Sequence, residues 1–126
     1  MENTSDNILI VEDEIMIASH YKMFLEKKGY KVIGIAATGE KAIYLAMQNK
    51  PVCILMDINL VGEMDGIQAA EKIKKEIQTN IIFITGYDDP ETRMRAEGIN
   101  PAAYYVKPIN FTNLIEDITK VIFKNI

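Results

Sequence analysis

Five times along the chain a short apolar run gives way to a segment of helical period. The runs are Ile8 to Val11, Lys31 to Ala36, Val52 to Met56, Ile81 to Ile84 and Ala103 to Val106. Their length suits strands, and the intervening segments are long enough to be helices. Parallel strands need a long crossover, which a helix supplies, so strict alternation predicts one parallel sheet covered by helices on both faces. The third run is apolar throughout, as a central strand buried on both sides requires. The expected fold class is therefore α/β, a doubly wound five-stranded parallel sheet with five helices.

The helical segments carry their own punctuation. Glu14 to Lys28 places Ile17, Ala18, Tyr21 and Leu25 on one face, and Gly29 stops it. Thr38 is the N-cap of a second helix running to Gln48, with Pro51 beyond its end. Ile67 to Ile77 carries Ile67, Ala70, Ile73 and Ile77. Asp89 caps a short fourth helix and Pro90 suits its first turn. With only Met94 and Ala96 apolar, this helix should be the least tightly held. Asn110 caps the last helix, whose stripe is Phe111, Leu114, Ile115, Ile118, Val121 and Ile122.

At 126 residues the chain is expected to form one domain, residues 8–126, after a disordered polar lead, residues 1–7. That lead does not have the character of a signal peptide. No apolar stretch approaches the roughly 20 residues of a membrane span, so no membrane insertion is expected. The single cysteine, Cys53, lies inside an apolar run and has no disulfide partner, which fits a reducing cytoplasm. A net charge of -4 argues against a nucleic-acid surface. Lys72, Lys74 and Lys75 are balanced by Glu71 and Glu76 and read as a solvated helix face.

The chemistry lies where the strands end. The first run ends in Glu12-Asp13-Glu14, the third in Asp57, the fourth in Thr85-Gly86 and the fifth in Lys107-Pro108. In an open parallel sheet the carboxyl ends share one edge, and ligands bind there. Glu12, Asp13 and Asp57 would repel one another and raise each other's pKa. A hard divalent cation relieves this, and few protein ligands with retained water favour Mg²⁺ over Ca²⁺. Lys107 adds a fixed positive charge, Thr85 a hydroxyl donor, and Gly86 room for a close backbone approach. A single Asp after a strand is usually a turn former, and a single Lys is usually solvated. The set is specific where its members are not. Together they form a receptor for a carboxyl-phosphate, since phosphoryl transfer needs mostly positioning and electrostatic stabilisation.

From Ile8 to Phe123 these residues resemble the receiver domain of two-component response regulators, standing alone or cut from a longer chain. The resemblance is carried by Ile8-Leu9-Ile10-Val11-Glu12-Asp13-Glu14, Leu55-Met56-Asp57-Ile58, Met64-Asp65-Gly66, Ile84-Thr85-Gly86 and Tyr104-Tyr105-Val106-Lys107-Pro108. It implies a flavodoxin-like topology with strand order 2-1-3-4-5. It implies that Asp57 accepts a phosphoryl group from a sensor histidine kinase or a phosphotransfer protein. Asp13, Asp57 and the Asn59 backbone carbonyl would hold Mg²⁺, and Glu12 would act through water. Lys107 would pair with the phosphoryl group, and the Lys107–Pro108 bond would be cis. Thr85 and Tyr104 would be the switch, shifting the face made by helix four, strand five and helix five, which is also a dimer surface. The implied protein is a cytoplasmic signalling switch, not an enzyme beyond self-phosphorylation and autodephosphorylation, and its output partner is open.

The chain departs from the commonest family pattern at several places. Val61 stands where many members have Pro, and the stretch to Asp65-Gly66 is one residue longer. Gly86 replaces a frequent Ala, and Asn59 and Tyr87 occupy variable positions that tune dephosphorylation. Ala103 stands where receivers with winged-helix outputs often carry Asp.

Two other functions compete for this arrangement of residues. An aspartate-nucleophile, Mg²⁺-dependent phosphohydrolase would carry its nucleophile on the first strand and an acid two residues later. Here Asp57 follows the third run, and Asn59 cannot be a general acid. A flavin carrier would need a Ser-, Thr- and Gly-rich first loop, whereas Glu12-Asp13-Glu14 repels phosphate. Met16, His20 and Met23 are expected on the outer side of the first helix, as scattered surface residues or a docking face. Tyr105 should point away from Tyr104 by strand alternation. Tyr21, Tyr30 and Tyr44 read as packing residues.

Overall fold

The computed structural model describes residues 6–124, so most of the expected lead and the last two residues of the expected domain lie outside the described residues. The elements run β1 (Asn7–Val11), α1 (Ile15–Lys27), β2 (Lys31–Ala36), α2 (Gly39–Asn49), β3 (Cys53–Asp57), α3 (Gly66–Glu76), β4 (Asn80–Thr85), α4 (Pro90–Glu97), β5 (Ala103–Val106) and α5 (Phe111–Lys124). All strand pairs are parallel, and the sheet order is β2-β1-β3-β4-β5. The α/β doubly wound sheet of order 2-1-3-4-5 with five helices is thus the observed fold.

Period-two alternation along the strands sorts the core into two layers. Leu9, Val11, Ile54, Met56, Ile81 and Phe83 face α2, α3 and Ala96 of α4. Ile8, Ile10, Cys53, Leu55, Ile82 and Ile84 face α1 and α5, meeting Ala18, Tyr21, Leu25, Leu114 and Ile118. Tyr104 packs with the first layer and Tyr105 with the second, as alternation requires. Every residue of β3 is buried, which a central strand flanked by β1 and β4 must be.

Local chemistry sets the boundaries. Thr38 accepts the Lys41 amide at 3.1 Å and Asp89 accepts the Thr92 amide at 3.0 Å, capping α2 and α4. Asn110 accepts the Asn113 amide at 3.0 Å at the start of α5. Asp65 and Gln68 form a reciprocal capping box at α3. Its Asp-x-x-Gln spacing is the legible signal. Glu14 precedes α1 without a side-chain cap, and Gly29, at φ +93°, carries the chain away from that helix.

Two expectations are corrected. Tyr44 is 59% exposed and does not pack: α2 meets the sheet through the small residues Ala42 and Ala46, which leaves the Tyr44 face outward. Lys74 is not a solvated member of a basic face. Its ammonium donates to the Ile99 and Asn100 carbonyls at 2.7 and 3.1 Å, closing the segment after α4. Met16 and Met23 are exposed as expected, and the His20 ring lies 5.3 Å from that of Phe111.

Of the eight residues of α4 only Ala96 is buried, and Met94 is 73% exposed. Polar contacts hold this helix in place of apolar ones. Arg95 reaches Asp65 at 2.9 Å, Arg93 reaches Asp88 at 2.9 Å, and Lys74 secures the turn that follows.

Candidate functional site

The parallel sheet delivers its strand ends to one edge. β3 runs one residue further than its apolar run, so Asp57 is its last residue, paired with Ile84 across the ladder. Glu12 follows β1 directly, and its amide still bonds to the Ala36 carbonyl at 2.9 Å. Thr85 closes β4 opposite Val106, and Lys107 follows at once. The Lys107 amide is held by the Thr85 carbonyl at 2.7 Å. The Lys107–Pro108 bond is cis.

Glu12, Asp57 and Lys107 line an open cleft of about 260 Å³ together with Asp13 and Asn59. Carboxylate oxygens of Glu12, Asp13 and Asp57 come within 4.8 Å of one another. Glu12 is 2% exposed, Asp57 5% and Thr85 0%, while Asp13 is half-buried. Lys107 bridges the two buried acids, with Nζ 3.1 Å from Glu12 Oε1 and 3.4 Å from Asp57 Oδ2. The other Asp57 oxygen accepts the Asn59 amide at 3.2 Å. Glu12 Oε2 accepts the Glu14 amide at 3.2 Å.

Two clustered, buried carboxylates resist ionisation. The Glu12 carboxyl is pushed up to about 7, first by burial and then by the charge of Asp57, against the Glu14 amide and Lys107. Burial also raises Asp57, with Lys107 the main opposing influence. For Lys107 burial favours the neutral form, but Asp57 and Glu12 outweigh it and hold the ammonium above its ordinary range. One cation facing three acids leaves negative charge uncompensated. The donors are all oxygen, two are buried, and they converge, so the cluster fits a hard divalent cation.

Thr85 is engaged differently from the bare donor expected. Its hydroxyl donates to Asn59 Oδ1 at 3.0 Å and accepts the Tyr87 amide at 3.1 Å. The side chain of Asn59 therefore tethers Thr85 to the loop after β3, which nothing in the local sequence signals. Gly86 borders the cleft, and a side chain there would meet only open space. Tyr104 lies edge-on to Phe83, with ring centroids 6.4 Å apart, and its hydroxyl donates to the Tyr87 carbonyl at 3.4 Å.

The longer loop after β3 is pinned at both ends. Leu60 is buried, Met64 packs against the core, and the Gly66 amide donates to the Ile58 carbonyl at 2.8 Å. Its tip holds Val61, 64% exposed, and Gly62, whose φ of +106° a side chain would resist.

A family model described as the response regulator receiver domain matches residues 8–119. The chain is 42% identical over 108 residues to the transcriptional regulatory protein SrrA of Staphylococcus aureus (strain NCTC 8325 / PS 47), covering 84% of the chain and 43% of that protein. The chain thus spans less than half the length of the curated relatives it matches. Among solved structures it is similar to the signal receiver domain of a modulated diguanylate cyclase from Desulfovibrio desulfuricans G20. The two are 37% identical with a TM-score of 0.87, covering 94% of each chain. It is also similar to the N-terminal domain of a response regulator/sensory box/GGDEF 3-domain protein from Carboxydothermus hydrogenoformans. That pair is 32% identical with a TM-score of 0.84, covering 94% of this chain and 95% of the other. Among the described residues no helix is long and apolar enough to cross a membrane.

Proposed function

The chain belongs to the response regulator receiver family, and from that premise we propose that Asp57 accepts a phosphoryl group from the phosphohistidine of a sensor kinase or phosphotransfer protein. The observation that carries this is the position of Lys107, 3.4 Å from Asp57 Oδ2 and 3.1 Å from Glu12 Oε1, across the sheet edge from the Thr85 hydroxyl.

Asp57 Oδ2 attacks phosphorus: an oxygen–phosphorus bond forms, the phosphorus–nitrogen bond of the donor breaks, and its electron pair stays on the imidazole. Asp13, Asp57 and the Asn59 carbonyl would hold Mg²⁺, with Glu12 acting through water; bound there, the ion shields incoming phosphate from the carboxylates. Lys107 stays beside Asp57 and pairs with the transferred group. The Asn59 amide keeps the carboxylate oriented through Oδ1.

Thr85 exchanges Asn59 for a phosphoryl oxygen, and Tyr104 turns inward as Thr85 moves. The face of α4, β5 and α5 then changes shape, a two-state element biased by a local charge. An output protein or domain, or a second copy of the chain, reads that face without direct nucleic-acid contact. The switch works in the cytoplasm, and self-phosphorylation and autodephosphorylation are its only reactions. The phosphohydrolase alternative gains no support, because Asn59 offers an amide already engaged by Thr85 where an acid is needed.

Intact-mass spectrometry after acetyl phosphate with Mg²⁺ is expected to add one phosphoryl group to the wild type and none to Asp57→Asn. Equal labelling of both would sink the assignment. Steady turnover of simple phosphate esters would favour the hydrolase.

A further inference from the structure

We propose that Arg93 is an autoinhibitory latch that holds Tyr104 in its resting position; the proposal rests on Tyr104 being the readout of the Asp57 site. The Arg93 guanidinium lies over the Tyr104 ring, 4.5 Å from its centroid, while Phe83 meets the ring edge-on from the sheet side. Tyr104 cannot turn inward without leaving the cation. An arginine is suited to this, because its planar group stacks on an aromatic face while its edge remains free to bond.

That edge is fastened. Arg93 Nη1 donates to Asp88 Oδ1 at 2.9 Å, and Nε lies 3.6 Å from Glu97 Oε2 one turn along α4. Two acids flanking one guanidinium fix its plane, so the stack is more than a chance contact between exposed side chains. Asp88 belongs to the loop that leaves Thr85. In the same loop the Tyr87 amide donates to the Thr85 hydroxyl and the Tyr87 carbonyl accepts the Tyr104 hydroxyl. The latch is thus anchored on the segment that Thr85 would disturb on moving to a phosphoryl group. Its moving part, α4, buries only Ala96, so little apolar packing opposes its shift.

With the latch removed, the active-like conformer should be more populated before phosphorylation, and the domain should accept phosphoryl groups faster. The test is a double-mutant cycle of Arg93→Ala and Tyr104→Leu in the full chain. The initial rate of labelling by acetyl phosphate with Mg²⁺ is read by intact mass, and the Tyr104 ring is followed by NMR before and after donor is added. Arg93→Ala should speed labelling about two- to fivefold, the range expected for a surface cation–π contact. It should also shift the Tyr104 ring resonances of the unphosphorylated protein. In the Tyr104→Leu background the same substitution should leave the rate unchanged. An unaltered rate in Arg93→Ala would overturn the latch even if the ring resonances shift, as would an acceleration that persists without Tyr104. A wild type that labels while its Tyr104 resonances stay fixed would instead overturn the readout, and the latch with it.

Discussion

Gly66 lies against the backbone of Asp57: a Cβ at Gly66 would sit 2.1 Å from the Asp57 carbonyl oxygen and 2.9 Å from Ile58 Cα. Both neighbours are main chain, so neither can swing aside. Gly66→Ala must push the end of β3 or the start of α3, and overpacking of this kind costs about 3 kcal/mol at the upper end of its usual range. Urea unfolding should show that loss, and the folded remainder should label poorly with acetyl phosphate because Asp57 has moved. An unchanged urea midpoint would mean that the loop yields more easily than its packing suggests.

The pH dependence of stability follows from the two buried acids. Glu12 is raised from 4.5 to about 7 by burial and then Asp57, and Asp57 is itself raised by burial. A raised carboxyl binds protons more tightly folded than unfolded, so stability falls as pH climbs from about 4.5 towards 7. Asp89, held low by the Thr92 amide, acts with the opposite sign, but only below its ordinary value of 3.8. Lys107, raised by Asp57 and Glu12 against its burial, loses its contribution only above the ordinary lysine value of 10.5. In chelator, the urea midpoint should therefore be higher at about pH 5 than at about pH 8. Millimolar Mg²⁺ should flatten or reverse that trend, because the ion replaces the protons. A midpoint that climbs with pH in chelator would show that neither acid is raised.

The fold and the acidic edge were legible for the same reason. Period-two and helical patterns define the strands, and a parallel sheet sends every carboxyl end to one edge, so Glu12, Asp13, Asp57, Thr85 and Lys107 could be grouped without coordinates. Contacts that depend on how helices seat could not. Tyr44 is exposed because Ala42 and Ala46 draw α2 onto the sheet at a particular rotation. Lys74 bonds to carbonyls because the segment after α4 ends beside α3, and Arg93 meets Tyr104 because the fold brings one side chain of α4 over one ring of β5. Such pairings join residues whose separate sequence contexts say only that they are charged or aromatic. The Asn59–Thr85 bond is of the same kind, its partners standing 26 positions apart in the sequence.

The two adjacent tyrosines of β5 should respond differently to loss of their hydroxyls. Tyr105 donates to the Asp117 carboxylate and ties the edge strand to α5; burial, then that partner, pushes its hydroxyl pKa up. Removing a hydrogen bond to a charged group typically costs about 1.5–3 kcal/mol. Asp117 is only half-buried and can recover water, so Tyr105→Phe should lose about 1.5 kcal/mol, the low end of that range. Tyr104→Phe gives up a long 3.4 Å contact at the surface and should change stability by less than about 0.5 kcal/mol. Paired urea titrations decide this, and equal losses would mean that the Asp117 contact does not secure α5.

Lys107 should have opposite effects on metal and phosphoryl chemistry. Its ammonium sits 3.4 Å from Asp57 and 3.1 Å from Glu12, in the same cleft that a divalent cation would share. Two unit charges 4 Å apart repel by about 1 kcal/mol even in bulk water, and a divalent ion doubles that. Lys107→Met keeps the length of the side chain and removes the charge, so Mg²⁺ affinity should rise by at least about tenfold. The phosphoryl group, by contrast, loses its fixed partner. Labelling by acetyl phosphate should slow, and Tyr104 should respond less to whatever label forms, because Thr85 would then bond to a less firmly placed oxygen. Titration calorimetry with Mg²⁺ and the labelling rate measured on one preparation give the two halves. Weaker Mg²⁺ binding in Lys107→Met would show that the lysine organises the carboxylates rather than competing for them.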